Sequence, residues 1–168
     1  MTMELLGGTV LVAATITMGL MAGVFGLYAH TIMPGLRRTD DRTFVVVFQA
    51  IDRAILNLWF MASFFGALVL SGLAAALHLD ADDRSVLPWI VAAFVLYLVA
   101  VVVTLAVNVP RNDAIKAAGD PDRIRDLKGV RERFGEASWA AWNLVRTLTS
   151  TAAFGCLAWA LVAFGDRN

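Results

Sequence analysis

This sequence predicts an all-α integral membrane protein, a bundle of four spanning helices, and three observations carry that expectation. Of 168 residues, 59% are hydrophobic and only 17% charged, with a mean hydropathy of +0.70, far too apolar for an ordinary water-soluble domain of this size. The charges fall between four long uncharged stretches, each near or above the roughly 20 residues that a spanning helix needs. These stretches are continuous apolar runs rather than alternating ten-residue segments, so helices and not barrel strands satisfy the backbone in hydrocarbon.

The elements follow in order within a single domain covering residues 1–168. Span one covers about 7–33; it follows Glu4 rather than a basic segment and is too long for a cleavable signal, so it is expected to persist in the mature protein. Asp40 and Asp41 can cap a helix whose apolar positions Phe44, Phe48, Ile51 and Ile55 recur at helical spacing. Span two, about 54–79, is therefore expected to begin as an interfacial extension and to continue inward. Span three, about 86–109, is expected to end at Pro110, which lacks an N–H and disfavours the carbonyl of Ala106. Asp120 before Pro121 predicts the start of an amphipathic surface helix with Ile124, Leu127, Arg131 and Phe134 on one stripe. Span four covers about 140–165.

Charge orients the bundle. Arg37, Arg38, Arg42 and Arg53 lie between spans one and two, and Arg111, Lys116, Arg123, Arg125, Lys128, Arg131, Arg133 and Arg146 between the cores of spans three and four. The link "HLDADDRS" has Arg84 alone against Asp80, Asp82 and Asp83. The positive-inside rule then places links 34–53 and 111–146 in the cytoplasm and both termini outside.

Several chemistries are disfavoured. Cys156 is the single cysteine, which excludes an intrachain disulfide and a thiol metal cluster within one chain. The sequence has no phosphate loop, nucleophile elbow or dinucleotide fingerprint. His78 with Asp80, Asp82 and Asp83 reads as a solvated turn, and no metal site is expected. The basic links suit anionic lipid rather than nucleic acid. Gly19 and Gly23 can pack helices within one bundle or between protomers, so a homo-oligomer stays open.

Each span carries a polar stripe: Thr15, Gly19, Gly23, Gly26 and His30; Gln49, Arg53, Asn57 and Met61; Tyr97, Val101, Thr104 and Asn108; Trp139, Asn143, Arg146 and Ser150. In an antiparallel bundle His30, Gln49, Arg53, Asn57, Asn108, Asn112, Asn143 and Arg146 would gather at the cytoplasmic end, while the outer half stays dry. Strongly polar groups facing a bundle interior are costly, which makes this set a candidate functional pocket.

The segments "MAGVFGLYAHTIMPGL" (21–36), "QAIDRAILNLWF" (49–60), "NVPRNDA" (108–114) and "WAAWNLVRT" (139–147) resemble, in order, the motifs of the anthrone-oxygenase-like family of small membrane proteins. The chain departs from that pattern at Asp52, Leu58 and Arg111, where Asn, Pro and an apolar residue are expected. The resemblance implies a four-helix membrane fold and oxidation of a planar, lipid-soluble aromatic by O2 as co-substrate, without an organic cofactor. His30 is then the candidate base, since an imidazole accepts a proton near neutrality. Arg53 and Arg146 would hold enolate charge, and Asn108 completes the catalytic set. Gln49, Asn57, Asn112 and Asn143 would supply neutral hydrogen bonds, and Trp59, Phe60 and Trp142 flat walls for the substrate. The rival expectation is a non-enzymatic membrane protein that binds a quinone-like or lipid ligand or serves as a small subunit.

Overall fold

The computed structural model describes residues 2–79 and 85–166. Asp80, Asp82, Asp83 and Arg84 of the second link lie outside them. Among the described residues all regular structure is helical, and four runs are long and apolar enough to cross a membrane: Met3–Leu36, Leu58–Leu77, Leu87–Ala117 and Leu127–Gly165. The chain is a multi-pass membrane protein.

The first run is α1 (Thr2–Leu27), a π turn at Tyr28–Ile32 and α2 (Met33–Leu36). Next come α3 (Asp41–Ile55) and α4 (Leu58–Leu77), then α5 (Leu87–Val103), a second π turn at Thr104–Asn108 and α6 (Val109–Ala117). After a 3-10 turn at Pro121–Arg123, α7 (Leu127–Phe134) leads into α8 (Glu136–Gly165). In the bundle α1 packs on α4 and α8, and α5 on α8 and α4, which closes a four-sided ring.

Heptad-like spacing fills the ring. Leu11, Ala14, Met18, Met21 and Phe25 of α1 are buried against Ala67 and Ala74 of α4, Ile90, Ala93 and Ala100 of α5, and Ala153, Leu157 and Ala160 of α8. Alanine at the facing positions lets the backbones approach, because hydrocarbon tails offer no hydrophobic drive between helices and close packing must hold them. Side chains such as Leu20, Val69, Val102 and Leu148 stay exposed on the outside, where lipid replaces water as their neighbour. Tyr97 donates its hydroxyl to Phe64 O at 3.0 Å, and Thr15, Ser71 and Ser150 donate to carbonyls four residues back. His78, expected in a solvated turn, is instead buried, with Nδ1 2.7 Å from Ala74 O.

Three expectations need correction. Pro110 does not end the helix. The π turn before it widens the ladder by one residue, which removes the clash with the preceding turn, and the Arg111 guanidinium donates to Val107 O at 3.0 Å. Pro34 follows the first π turn at the same interval. Span two and its extension are not one continuous helix either: Leu56 (φ −76°, ψ 59°) ends the first helix, and Asn57 accepts from Phe60 N and donates to Ala54 O, capping both sides of the break. Finally, Asp120 caps only the 3-10 turn, and the surface helix starts at Leu127 behind the N-cap Asp126.

α3, α6 and α7 build a second layer at one end of the bundle, around Phe44, Phe48, Ile115, Phe134 and Trp139. Arg131 fastens it, pairing with Glu136 at 3.0 Å and Asp41 at 3.1 Å, while Arg37 reaches Glu136 at 2.9 Å. Gly135 (φ +67°) both ends α7 and precedes α8, a left-handed position that costs a glycine least. Asp40 is the N-cap of α3, accepting from the Thr43 amide at 3.0 Å and the Thr43 hydroxyl at 2.7 Å. Those bonds hold its carboxyl below the usual aspartate range. A depressed carboxylate stabilises the fold above the ordinary range and loses that contribution as pH falls through the lowered value. The Thr43 amide resonance is therefore expected to shift in acid, and to stop doing so in Asp40→Ala.

Candidate functional site

The layered end of the bundle encloses a cavity of about 110 Å³ whose lining comes from every spanning run. Phe25 and Tyr28, Phe48, Phe60 and Trp139 give it aromatic walls. Asp52, Thr104, Asn108, Asn112, Lys116 and Arg146 are its polar groups, with Asp113 at the edge. Both π turns contribute, through Tyr28 on one side and Thr104 with Asn108 on the other. Such turns rotate the following helix out of its former register, which is how one helix presents Asn108, Asn112 and Lys116 to the cavity in steps of four.

Arg146 sits at the inner wall, 5% exposed. Its Nη2 donates to Asn143 Oδ1 at 2.7 Å and its Nη1 to Thr104 Oγ1 at 3.2 Å. The guanidinium carbon stands 4.5 Å from the Phe25 ring centroid and 5.4 Å from that of Trp139. No carboxylate pairs with it among the described residues, and its Nε has no hydrogen-bond partner. Asn143 is fully buried behind it and donates to Phe25 O at 3.1 Å. Asn108, also fully buried, donates to Trp139 O at 3.3 Å, leaving Oδ1 without a partner.

The same Trp139 donates its Nε1 to Asn112 Oδ1 at 2.8 Å, and Asn112 Nδ2 donates to Asp52 Oδ1 at 2.7 Å. An indole N–H can only donate, so it fixes the Asn112 amide with its nitrogen toward the carboxylate. Lys116 Nζ stands 2.8 Å from Asp52 Oδ2, a charge contact rather than a well-aligned hydrogen bond. The cavity lining thus combines a guanidinium that no carboxylate pairs among the described residues with a hydrogen-bonded carboxylate. Among the described residues no three His, Cys, Asp or Glu side chains are grouped to hold a metal.

Of the residues expected from sequence, Phe60, Asn108, Asn112 and Arg146 line the cavity, and Asn143 holds Arg146 from behind. The others do not meet there. His30 is exposed on the outer face, with Nδ1 2.6 Å from Thr31 Oγ1, because the π turn gives its inward position to Tyr28. Arg53 is exposed and donates to Gln49 Oε1. Gln49 is buried, but spends its amide on Ile115 O and Gly119 O, tying α3 to the end of α6. Asn57 is an exposed cap, Trp59 is 86% exposed, and Trp142 faces outward.

The lining also includes Phe25, Tyr28, Phe48, Asp52, Thr104, Lys116 and Trp139, none of them among the site residues expected from sequence. A signal existed for two. Asp52 continues the buried stripe Phe44, Phe48 at steps of four, and Lys116 continues Asn108, Asn112, a pattern hidden by reading Pro110 as a stop.

A family model described as anthrone oxygenase matches residues 58–156. The chain belongs to the anthrone oxygenase family. In this family member the match takes in Phe60, Thr104, Asn108, Asn112, Lys116, Trp139 and Arg146, whereas Phe25, Tyr28, Phe48 and Asp52 lie before it. No curated protein and no solved structure matches the chain.

Proposed function

We propose that this protein is a membrane oxygenase that oxidises a planar, lipid-soluble, anthrone-like aromatic with O2, without an organic cofactor, in the cavity between α1, α3, α6 and α8. The observation that carries the reading is Arg146: a buried guanidinium that no carboxylate pairs among the described residues, lining an aromatic-walled cavity. Removing an ion from water costs several kcal/mol, and an oxyanion in the cavity would offset that cost. In this reading the end of the bundle with the basic links lies on the cytoplasmic side, with both termini outside, as the positive-inside rule leads one to expect.

Asp52 replaces His30 as the base. It takes a proton from the acidic methylene, and the electron pair delocalises onto the substrate carbonyl oxygen, which Arg146 stabilises. The enolate passes one electron to O2, the resulting radical and superoxide join through a C–O bond, and the peroxide recovers the proton from Asp52. Loss of the second methylene proton with O–O cleavage then gives the ketone and water, so that CH2 + O2 becomes C=O + H2O. The cavity is of the scale that encloses one aromatic ring; the remaining rings of a fused substrate would extend past Ile55, Leu56 and Phe60 toward the bilayer.

The test is oxygen uptake by purified protein given an anthrone in lipid vesicles. Uptake well above the spontaneous rate is expected, and His30→Ala should retain it within about twofold. Uptake no faster than the spontaneous rate, with the anthraquinone still bound, would favour a quinone-binding protein instead.

A further inference from the structure

We propose that Lys116 is a positioning residue that keeps Asp52 ionised for proton abstraction, with Asp113 as the counterweight that limits its hold; this rests on the reading of Asp52 as the base. Lys116 Nζ lies 2.8 Å from Asp52 Oδ2 and 3.1 Å from Asp113 Oδ1. The three side chains are 8%, 23% and 63% exposed in the order Asp52, Lys116, Asp113. They form a graded line from the cavity to its edge.

Burial beside aromatic walls disfavours the charged form of a carboxyl, and a cation in contact restores it. Other charged or titratable groups near Asp52 are committed elsewhere. Arg146 of α8 is held by Thr104 and Asn143, Arg53 of α3 turns outward to Gln49, and Arg111 of α6 bonds Val107 O and Ser138. Tyr28, on the first π turn, is a neutral hydroxyl at the same cavity. Lys116 is the cation that touches the carboxylate, while Asn112 serves its other oxygen.

Asp113 matters because it shares the ammonium. When the substrate C–H bond breaks, its electron pair stays on the substrate, the proton binds Asp52, and Lys116 keeps all three of its own. Neutral Asp52 then attracts the ammonium less, and Asp113 retains it at the cavity edge, ready for the next ionisation.

Two substitutions should therefore act in opposite directions, which a merely structural role would not produce. Infrared titration of the protein in lipid vesicles, with Asp52→Asn used to assign the carboxyl band, reads the protonation directly. Lys116→Gln should move the Asp52 midpoint to higher pH and Asp113→Asn should move it lower, since a removed cation and a removed anion have opposite effects. Lys116→Arg should restore the wild-type midpoint. The acid limb of kcat for oxygen uptake should follow each shift, with KM little changed. A midpoint that ignores Lys116→Gln, or that moves the same way in both variants, overturns the proposal. Should Lys116→Gln not fold, Asp113→Asn alone decides, because a midpoint that fails to fall shows that no shared ammonium links the two acids. Infrared shifts of the expected signs with no oxygen uptake would leave the Lys116 pairing standing and sink the oxygenase reading.

Discussion

Arg146→Met is expected to slow substrate oxidation by about 10²–10³-fold, the loss typical of removing one donor to a developing oxyanion, while leaving the bundle folded. The reason lies in how the guanidinium is kept. It is buried with no carboxylate paired to it among the described residues, bonded to a neutral amide and a hydroxyl and flanked by two aromatic rings. A charge held so is a weak stabiliser, and replacing buried ions by well-packed apolar residues is often neutral. Asn143 Oδ1 would lose its donor, at about 1–3 kcal/mol, offset by the desolvation no longer incurred. Thermal unfolding in detergent should stay within about 4 °C of wild type. Arg146→Lys keeps charge but not the planar fork, and should fall between the two. A Met variant that unfolds early yet oxidises normally when folded would assign Arg146 to architecture alone.

Asp52→Asn is expected to lower kcat by about 10²–10⁴-fold, as loss of a general base does, with little change in ligand binding. The substitution is close to isosteric. Its amide oxygen can still accept from Asn112, so the line from Trp139 through Asn112 survives. What disappears is the charge that takes the proton. Quenching of protein fluorescence by an added anthraquinone should report unaltered binding, which separates loss of chemistry from loss of the pocket. Full activity in Asp52→Asn would move the base elsewhere, and would fit the asparagine that the family resemblance leads one to expect at this position.

The contrast between His30 and Asp52 shows where the sequence stops being informative. Both are single ionisable groups near helix ends, and their spacings place either one on the inner face. His30 is displaced outward because the helix changes its winding at Tyr28–Ile32, and no residue type in "YAHTI" announces a π turn. Asp52 is drawn inward because α3 folds back over the bundle end, where Phe44 and Phe48 bury beside it. Asn108, Asn112 and Arg146 were legible because costly polar groups in apolar helices have few places to go. Trp59 and Trp142 were not, since an indole is equally at home against lipid.

The four spanning runs, their antiparallel order and the gathering of polar groups at one end were determined by the sequence alone, because hydrocarbon leaves a backbone few options and penalises every unpaired polar atom. Which of those groups share a cavity was decided only in the tertiary structure. Two π turns and the break at Leu56–Asn57 set the rotation of each helix, and a rotation of one residue exchanges an inward side chain for an outward one. Such offsets arise from packing between helices, and no spacing within a single helix records them.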